Sequence, residues 1–245
     1  FFDSITVKQE NREFRTHTGS YQGSSVTVMS TGIGPDNIDI AVNELDALTT
    51  IMPNSEAAPD RLNIIRIGTC GAMQSPLAPG SAAISTYAVG LDNIAQFYAI
   101  HNTEKEEAAL NTLTAFWQQA GLTYPFYVKA CSEDLHQQMR QVGLPGFTLT
   151  CPGFYGPQGR GIRLEASHMD FVDVLQPFVY DSLTIQNMEM ETSALYALGH
   201  ALGHRCLTVT LALANRVTGD YLSSYQTPMN KLIQKVLDKV SAIEV

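Results

Sequence analysis

The sequence predicts an α/β protein: a three-layer sandwich in which helices cover both faces of a central sheet of mostly parallel or mixed strands. Short apolar runs typical of strands alternate along the chain with segments whose apolar residues recur at helical spacing. Several of the runs end in glycine-rich turns. The chain has 245 residues, 44% of them hydrophobic, and shows neither an internal repeat nor a linker. We therefore expect one domain over residues 1–245.

The strands are predicted from apolar runs closed by glycine, proline or polar residues. The first run enters the tight turn 31–35, and the second ends at Gly68. Strands are expected at residues 26–30, 62–67, 81–89, 126–130, 147–151, 183–186 and 206–214.

The helices are predicted from apolar residues that share one face. The first should begin near Asn37, with the side chain of Asp36 or Asn37 as its cap. Two more are expected at residues 104–119 and 132–142, and another begins near Thr192. The last helix carries an apolar stripe formed by Met229, Leu232, Ile233, Val236, Leu237 and Val240.

Polar or glycine-rich clusters follow several of the predicted strands. In a sheet of this kind, ligands bind at the carboxyl ends of the strands. The clusters are residues 32–37, 66–71, 154–160, 189–191 and 215–216. Their placement predicts one composite pocket.

Charge and hydropathy exclude several classes of partner. The net charge of -9 argues against a nucleic acid, although a few arginines can still make a small pocket positive. No apolar run approaches the roughly 20 residues that span a bilayer, so no membrane partner is expected.

Cysteines and histidines give no metal motif. His200 and His204 stand four residues apart, a zinc spacing, but no glutamate lies between them and no third ligand is evident. The four cysteines have neither metal nor disulfide spacing, which favours a reduced, cytoplasmic setting; they are Cys70, Cys131, Cys151 and Cys206.

The cluster 66–71 has the composition of an anion site. Glycines let backbone N–H groups approach an anion, Thr69 offers a hydroxyl, and Arg66 offers a charge-assisted fork. It is neither a Walker loop nor a dinucleotide fingerprint. An ordinary strand-to-turn pair of glycines stays an alternative.

The loop 154–160 combines an aromatic ring, a carboxamide and a guanidinium. The carboxamide of Gln158 can match the N–H and C=O edge of a uracil ring. Arg160 can stabilise a carbonyl oxygen that becomes more negative as the base leaves, and Phe154 can pack against the ring. A solvated surface loop is the alternative.

The segment 189–191 places two carboxylates between a strand and a helix. Glu189 and Glu191 could accept hydrogen bonds from vicinal ribose hydroxyls, with Met190 against the sugar. Alternatively, Glu191 only complements the N-terminus of the next helix.

Taken in order, six stretches resemble the uridine phosphorylase branch of the nucleoside phosphorylase superfamily. No single stretch is specific, but their common order over nearly the whole chain is. They are residues 11–14, 30–34, 66–72, 154–160, 187–192 and 215–216.

The resemblance implies roles for the phosphate and ribose ligands. Arg66 and Thr69 match phosphate ligands, and Arg12 matches an arginine that reaches into the phosphate site of a neighbouring subunit. The segment from Glu189 through Met190 to Glu191 matches the ribose site, in which Glu191 holds the sugar hydroxyls.

The resemblance also implies the base site. Gln158 and Arg160 match the pair that recognises the uracil edge, with Phe154 and Gly71 beside the base. Arg216 matches an arginine that organises this site. The catalytic set implied by the resemblance is Arg66, Gln158, Arg160, Glu191 and Arg216.

The implied activity is phosphorolysis of uridine to uracil and ribose 1-phosphate. Purine enzymes of the superfamily carry an aspartate near the end of the last pocket strand, whereas residues 213–216 here contain no acid. The resemblance implies no cofactor beyond phosphate as co-substrate. It also implies a homo-oligomer, at least a dimer, with a hexamer of dimer units as the larger option.

Departures from the family pattern include one at the phosphate loop, which keeps alternatives open, and one near a cation site. The printed sequence begins at Phe1, after the position of the family's Gly-Asp-Pro-x-x-Arg phosphate loop, which is either outside the sequence or lost from the protein. Pro35-Asp36-Asn37 replaces a Gly-Pro-Ser stretch near a monovalent-cation site, so no such cation is expected. A hydrolytic nucleosidase and a non-catalytic nucleoside-binding protein are the two alternatives.

Overall fold

The centre of the molecule is a mixed sheet, seen in a computed structural model that describes residues 1–51 and 61–242. The strands are β1 (Ser4–Asn11), β2 (Phe14–Tyr21), β3 (Ser24–Ser30), β4 (Asn63–Ala72), β5 (Ala82–Gly90), β6 (Tyr127–Ala130), β7 (Leu144–Thr150), β8 (Val179–Tyr180), β9 (Leu183–Glu189) and β10 (Arg205–Asn215). The helices are α1 (Pro35–Asp46), α2 (Glu104–Gln119), α3 (Glu133–Met139), α4 (Phe171–Leu175), α5 (Thr192–Ala201) and α6 (Gln226–Val240).

The central sheet has the order β10-β4-β9-β7-β5-β6, and β8 flanks β9. β10 pairs in parallel with β4, as does β7 with both β5 and β9. The pairs β4–β9, β5–β6 and β5–β10 are antiparallel. The predicted α/β class with a mixed central sheet is confirmed. Because β10 pairs with both β4 and β5, five strands also close into a ring, which the sequence did not predict.

The outer face of the ring is apolar and lies under helices. Leu207, Val209 and Leu211 of β10 pack with Leu232 and Val236 of α6. On another side, α1 packs against α5, and α2 covers an aromatic cluster that includes Phe147. Alternating with these apolar positions are buried small or polar side chains, since successive residues of a strand point to opposite faces; they include Ser85, Thr148, Thr150, Asn187, Thr208 and Thr210.

Helix α2 has the predicted bounds because its first turn is well specified. The backbone N–H of Glu106 donates to Thr103 Oγ1 at 3.3 Å, and the N–H of Thr103 donates to Glu106 Oε2 at 2.8 Å. This reciprocal capping box satisfies two of the free N–H groups of the helix.

The predicted cap of α1 is wrong. This helix begins at Pro35, two residues before the expected start, and its N-cap is Gly34 without a side-chain hydrogen bond. Proline suits the first helical position because its φ is already helical and it has no N–H to satisfy. Neither Asp36 nor Asn37 therefore caps the helix.

Two strands continue further than predicted. β4 runs through Gly68 to Ala72, and β9 runs on to Glu189. Each is held by partners on both sides, because β4 lies between β10 and β9 and β9 lies between β4 and β7. Pairing thus overrides the low strand propensity of the glycines.

A separate three-stranded antiparallel sheet forms the N-terminal region, and only its last strand was predicted. β1 pairs with β2, and β2 with β3. Every residue of β1 is exposed, so this strand lacks the apolar alternation by which strands are recognised. The sheet is tied to α6 where Tyr21 Oη donates to Asp238 Oδ1 at 2.6 Å.

Within the described ranges 1–51 and 61–242, no helix is long and apolar enough to cross a membrane.

Candidate active site

A buried cluster of one arginine and two glutamates lies where β4, β9 and α5 meet. Nη1 of Arg66 is 2.9 Å from Oε2 of Glu189, and its Nη2 forms an ion pair with Oε2 of Glu191. All three side chains are largely buried, with exposed fractions of 15% for Arg66, 1% for Glu189 and 8% for Glu191. One guanidinium is thus shared by two carboxylates in a partly desolvated setting: its Nη2 donates a hydrogen bond to Glu191, whereas its Nη1 meets Glu189 as an ion pair outside hydrogen-bond geometry.

The carboxylate of Glu189 is surrounded by further donors. Thr150 Oγ1 donates to its Oε1 at 2.7 Å, and the backbone N–H of Glu191 donates to its Oε2 at 2.9 Å. The N–H of Thr192 reaches both oxygens, at 3.1 and 3.2 Å. These N–H groups belong to the start of α5, where a negative charge is favoured by the helix dipole.

Glu191 connects this cluster to the turn after β3. The N–H of Gly34 donates to Oε1 of Glu191 at 2.7 Å, and Gly34 has φ 103, a conformation that favours glycine. Burial raises the pKa of Glu191, an effect that the positive charge of Arg66 opposes. The structure therefore brings together the clusters 32–37, 66–71 and 189–191, which lie far apart in the sequence.

Gly68 makes room for the arginine. A β-carbon at this position would lie 2.7 Å from Nη2 of Arg66, so the guanidinium could not rest there beside any other residue. Thr69 follows on the same strand and is exposed. Its role as a phosphate ligand stays a prediction.

A second cluster is formed by the loop after β7. Nη1 of Arg160 donates to the carbonyl oxygen of Phe154 at 2.9 Å and also to Oε1 of Gln158. The guanidinium carbon lies 4.2 Å from the centre of the Phe154 ring, a cation–π geometry. Since a guanidinium only donates, the amide oxygen of Gln158 must face it, and the amide NH₂ group is directed elsewhere.

Arg216, which follows β10, joins this second cluster. Its Nη1 donates to the carbonyl oxygen of Gln158 at 2.8 Å and lies 3.6 Å from Sδ of Met188. Burial, together with the nearby charge of Arg216, lowers the pKa of Arg160 to about 10. Arg160 therefore still carries its charge at neutral pH, and two cations face the same small region.

The two clusters lie beside neighbouring parts of the strand pair β4–β9. Gly71 is paired with Met188 across β4 and β9, and a β-carbon at Gly71 would lie 3.5 Å from Nη2 of Arg160. Gly68, beside the first cluster, is three residues earlier, or about 10 Å along a strand. Met190, which is half-buried, lies between Glu189 and Glu191 in the sequence.

Arg12 is the one predicted ligand that lies on the N-terminal sheet. It is exposed in the turn between β1 and β2, with φ 52. This turn is held against the end of β3, where Ser30 Oγ donates to the carbonyl oxygen of Glu13 at 3.1 Å. A role in a neighbouring subunit's site stays a prediction.

The histidine pair has structural partners. Nε2 of His200 lies 3.1 Å from Oγ of Ser132, and Nδ1 of His204 accepts the N–H of Leu62 at 3.3 Å. Among residues 1–51 and 61–242, no group of three metal-binding side chains is present.

Two open cavities lie away from both clusters, with volumes of about 850 and 470 Å³. They share the wall formed by Ile100, His101, Thr103 and Lys129. The ammonium of Lys129 is already bound by the carbonyl oxygen of His101 and by Asn102 Oδ1, each at 2.8 Å. The larger of these two cavities is therefore not lined by Arg66, Glu189 or Glu191.

Sequence reasoning missed two residues of the site. Thr150 bonds to Glu189, and Met188 lies beside Arg216. Thr150 has no recognisable sequence signal, because its contact depends on the register of β7 against β9. Met188 could have been found from its place directly before the segment 189–191.

Comparison with known proteins relates this arrangement to one family. The profile of the phosphorylase superfamily matches residues 1–241. Uridine phosphorylase of Thermococcus kodakarensis is 29% identical over 214 residues, which cover 86% of this chain and 65% of that protein. The chain thus matches slightly less than two thirds of the length of this relative. A DeoD-type purine nucleoside phosphorylase of Bacillus cereus is 26% identical over 243 residues, with coverages of 97% and 85%.

Among solved structures, a Trypanosoma brucei nucleoside phosphorylase, described as showing uridine phosphorylase activity, superposes with a TM-score of 0.84. It covers 98% of this chain and 87% of its own, at 24% identity, and it shows a common fold.

Proposed function

We propose that this chain, which belongs to the phosphorylase superfamily, cleaves uridine with inorganic phosphate to give uracil and ribose 1-phosphate. The observation that carries the proposal is the pairing of Gln158 with Arg160, held by Arg216 beside Gly71. The Thermococcus relative, named a uridine phosphorylase, supports the same substrate.

The second cluster, formed by Phe154, Gln158, Arg160 and Arg216 and here called the base cluster, suits a uracil leaving group. When the glycosidic bond breaks, its electron pair leaves with the base, and the negative charge spreads onto the uracil oxygens. Arg160 is a charged donor in a half-buried setting, where stabilisation of such a charge is effective. The NH₂ group of Gln158, which has no partner among residues 1–51 and 61–242, adds a donor for a carbonyl oxygen.

A purine leaving group would need a proton for its ring nitrogen, and the end of β10 has no acid to supply one. Asn215 stands there, and its side chain is used internally. Its Nδ2 donates to the carbonyl oxygens of Gln74 and Leu77, while its Oδ1 accepts the N–H groups of Val217 and Thr218.

The cluster of Arg66, Glu189 and Glu191, here called the arginine–glutamate cluster, binds the ribose and the phosphate. Glu191 accepts hydrogen bonds from the ribose hydroxyls, with Met190 against the sugar. Arg66, with Thr69 and with Arg12 of a second subunit, holds the phosphate so that one of its oxygens attacks C1′. The C1′–N1 bond breaks first, through an oxocarbenium-like state, and the phosphate oxygen then forms the C1′–O bond. Positioning and charge stabilisation provide the catalysis.

Three further features belong to this proposal. The reaction needs no cofactor, because phosphate is the nucleophile and every other group named is a side chain. The enzyme is a homodimer at least, since Arg12 is exposed and would complete a neighbouring site. A cytoplasmic setting is supported by the four free cysteines, all of which lie in the described part of the chain.

Uracil release from uridine by the purified protein tests the function. It should occur with phosphate and not with sulfate at the same ionic strength, and ribose 1-phosphate should appear in equal amount. Inosine should be a much poorer substrate.

Equal release of uracil without phosphate would contradict the proposal in favour of a hydrolase. Tight binding of uridine without release would contradict it in favour of a binding protein. Faster cleavage of inosine than of uridine would overturn the assignment of the base.

A further inference from the structure

A chain of hydrogen bonds leads from the arginine–glutamate cluster into the protein, away from the substrate side. Thr150 Oγ1 donates to Glu189 and accepts the backbone N–H of Ser193 at 3.0 Å. The hydroxyl of Ser193 donates to Oδ2 of Asp92 at 2.5 Å. The chain Asp92–Ser193–Thr150–Glu189, here called the relay, therefore ends at the carboxylate that holds Arg66.

The direction of the bond at Thr150 is fixed. The backbone N–H of Ser193 can only donate, so the Thr150 oxygen accepts there. The hydroxyl proton is left for Glu189, and both Thr150 and Ser193 are fully buried. Because no water can replace this donor in the buried interior, loss of the Thr150 hydroxyl leaves Glu189 Oε1 with one hydrogen bond fewer.

Asp92, at the far end of the relay, is also held by several hydrogen bonds. Oδ1 of Asp92 accepts the N–H of Ile94 at 2.9 Å and the hydroxyl of Tyr127 at 2.8 Å. Burial raises the pKa of Tyr127, which keeps this hydroxyl protonated as a donor. Asp92, in the segment after β5, thus holds the first turn of α5, whose N–H groups also bind Glu189.

We propose that Thr150, supported by Ser193 and Asp92, is a positioning residue for Arg66. Thr150 orients the carboxylate of Glu189, and Glu189 in turn holds the guanidinium in the place where phosphate is expected. The inference rests on the proposed function in that phosphate is taken as the ligand of Arg66.

The relay predicts an unequal effect on the two substrates. Arg66 is shared by Glu189 and Glu191, so a turned Glu189 would leave the guanidinium to Glu191 alone. The phosphate site would then lose its oriented donor. The base cluster, whose contacts involve neither Thr150 nor Glu189, would stay as it is.

The test compares Thr150→Val with Thr148→Val. Valine has the shape of threonine without its hydroxyl. Thr148 lies on the same strand, is as fully buried, and bonds to Ser85 instead, with 2.5 Å between the two hydroxyl oxygens. Thr150→Ser restores the hydroxyl. We expect Thr150→Val to raise the KM for phosphate about tenfold, since one hydrogen bond to a charged group is lost.

The KM for uridine should change much less in Thr150→Val, and Thr150→Ser should restore the KM for phosphate to within about twofold of the original value. Thr148→Val should leave both constants within about twofold, even if it lowers thermal stability as much. Equal effects of the two valine variants, or equal rises of both KM values in Thr150→Val, would overturn the proposal.

Crystal structures of the two valine variants separate this inference from the proposed function. The guanidinium of Arg66 should leave its place between Glu189 and Glu191 in Thr150→Val and keep it in Thr148→Val. If the unaltered protein makes no ribose 1-phosphate, the proposed function is wrong. The position of the Arg66 guanidinium in the two variants then still tests whether Thr150 positions it. An unmoved guanidinium in Thr150→Val would refute the relay in an active enzyme as well.

Discussion

The two clusters of the site are built differently. In the arginine–glutamate cluster, Arg66 and Glu189 stand on paired strands, Glu191 caps α5, and backbone N–H groups bind both carboxylates. In the base cluster, Gln158 and Arg160 stand on a loop, where Gln158 is buried and Phe154 is 52% exposed.

This difference indicates a division of labour. The arginine–glutamate cluster is held by bonds from β7, α5 and the turn before α1, so its geometry is set before any substrate arrives. The base cluster is held by two arginines that donate to backbone carbonyl oxygens of the loop, and the exposed Phe154 can adjust to a ligand. Changes around Arg66 should therefore affect phosphate, changes at Glu191 should affect the ribose, and changes in the base cluster should affect the base.

Two glycines of β4 give the largest expected contrast. Gly68→Ala places a methyl group where the guanidinium of Arg66 lies, whereas Gly71→Ala meets its nearest neighbours at ordinary distances of 3.5 Å or more. Neither residue has a positive φ, so alanine strains neither backbone. Gly68→Ala should lower kcat/KM for phosphate about 100-fold, because displacement of a catalytic group by about 1 Å has costs of this size.

Gly71→Ala serves as the matched change in the base region. Its methyl group should raise the KM for uridine and leave the KM for phosphate close to its original value. Steady-state kinetics with each substrate varied in turn measures both constants. If Gly68→Ala affected uridine more than phosphate, the assignment of the two regions would be wrong.

Gln158→Ala should have a smaller effect, confined to the nucleoside. It removes the carboxamide that is proposed to bind the base and leaves Arg160 without one acceptor. The loss of about one hydrogen bond predicts a decrease of roughly tenfold in kcat/KM for uridine. Competition between uridine and other nucleosides measures the change in preference.

The control for this variant is Gln96→Ala, in an exposed segment that contacts neither cluster. It should leave every kinetic constant unchanged. An unaltered preference among bases in Gln158→Ala would remove this residue from the base site.

The smallest effect is expected in the pH dependence. In its proposed role Glu191 accepts hydrogen bonds from the ribose hydroxyls as a carboxylate, and burial raises its pKa above that of an ordinary glutamate. As the pH falls, kcat/KM for uridine should therefore decline before an exposed glutamate would be protonated. Gln158→Ala should keep the same acid limb, because it leaves the arginine–glutamate cluster intact.

Protonation of Glu191 is expected to lower activity but to increase the stability of the fold. A carboxyl group whose pKa is raised in the folded state binds its proton more tightly there than in the unfolded state, so protonation of Glu191 favours the fold. Its contribution is complete below the unfolded pKa and is lost as the pH rises through the folded pKa. Unfolding and activity measured over the same acid range should therefore diverge, and a parallel decline would point to acid unfolding instead.

The sequence by itself determined much of this protein. The apolar runs and glycine-rich turns predicted the α/β class and most central strands, and the capping box of Thr103 and Glu106 makes α2 begin where its pattern begins. The order of the motifs indicated the family, to which the chain belongs. Apolar runs and caps depend on residues that are close in sequence, and the order of the motifs can be followed along the chain, so the sequence alone shows them.

Only the tertiary structure decided how the pieces meet. It closed five strands into a ring, added the exposed strand β1, and made Gly34 rather than Asp36 or Asn37 the cap of α1. It also placed Thr150 behind Glu189 through the register of β7 and β9. Register and closure depend on pairings between residues that are distant in sequence, and a buried carboxylate takes whichever donors that packing brings to it.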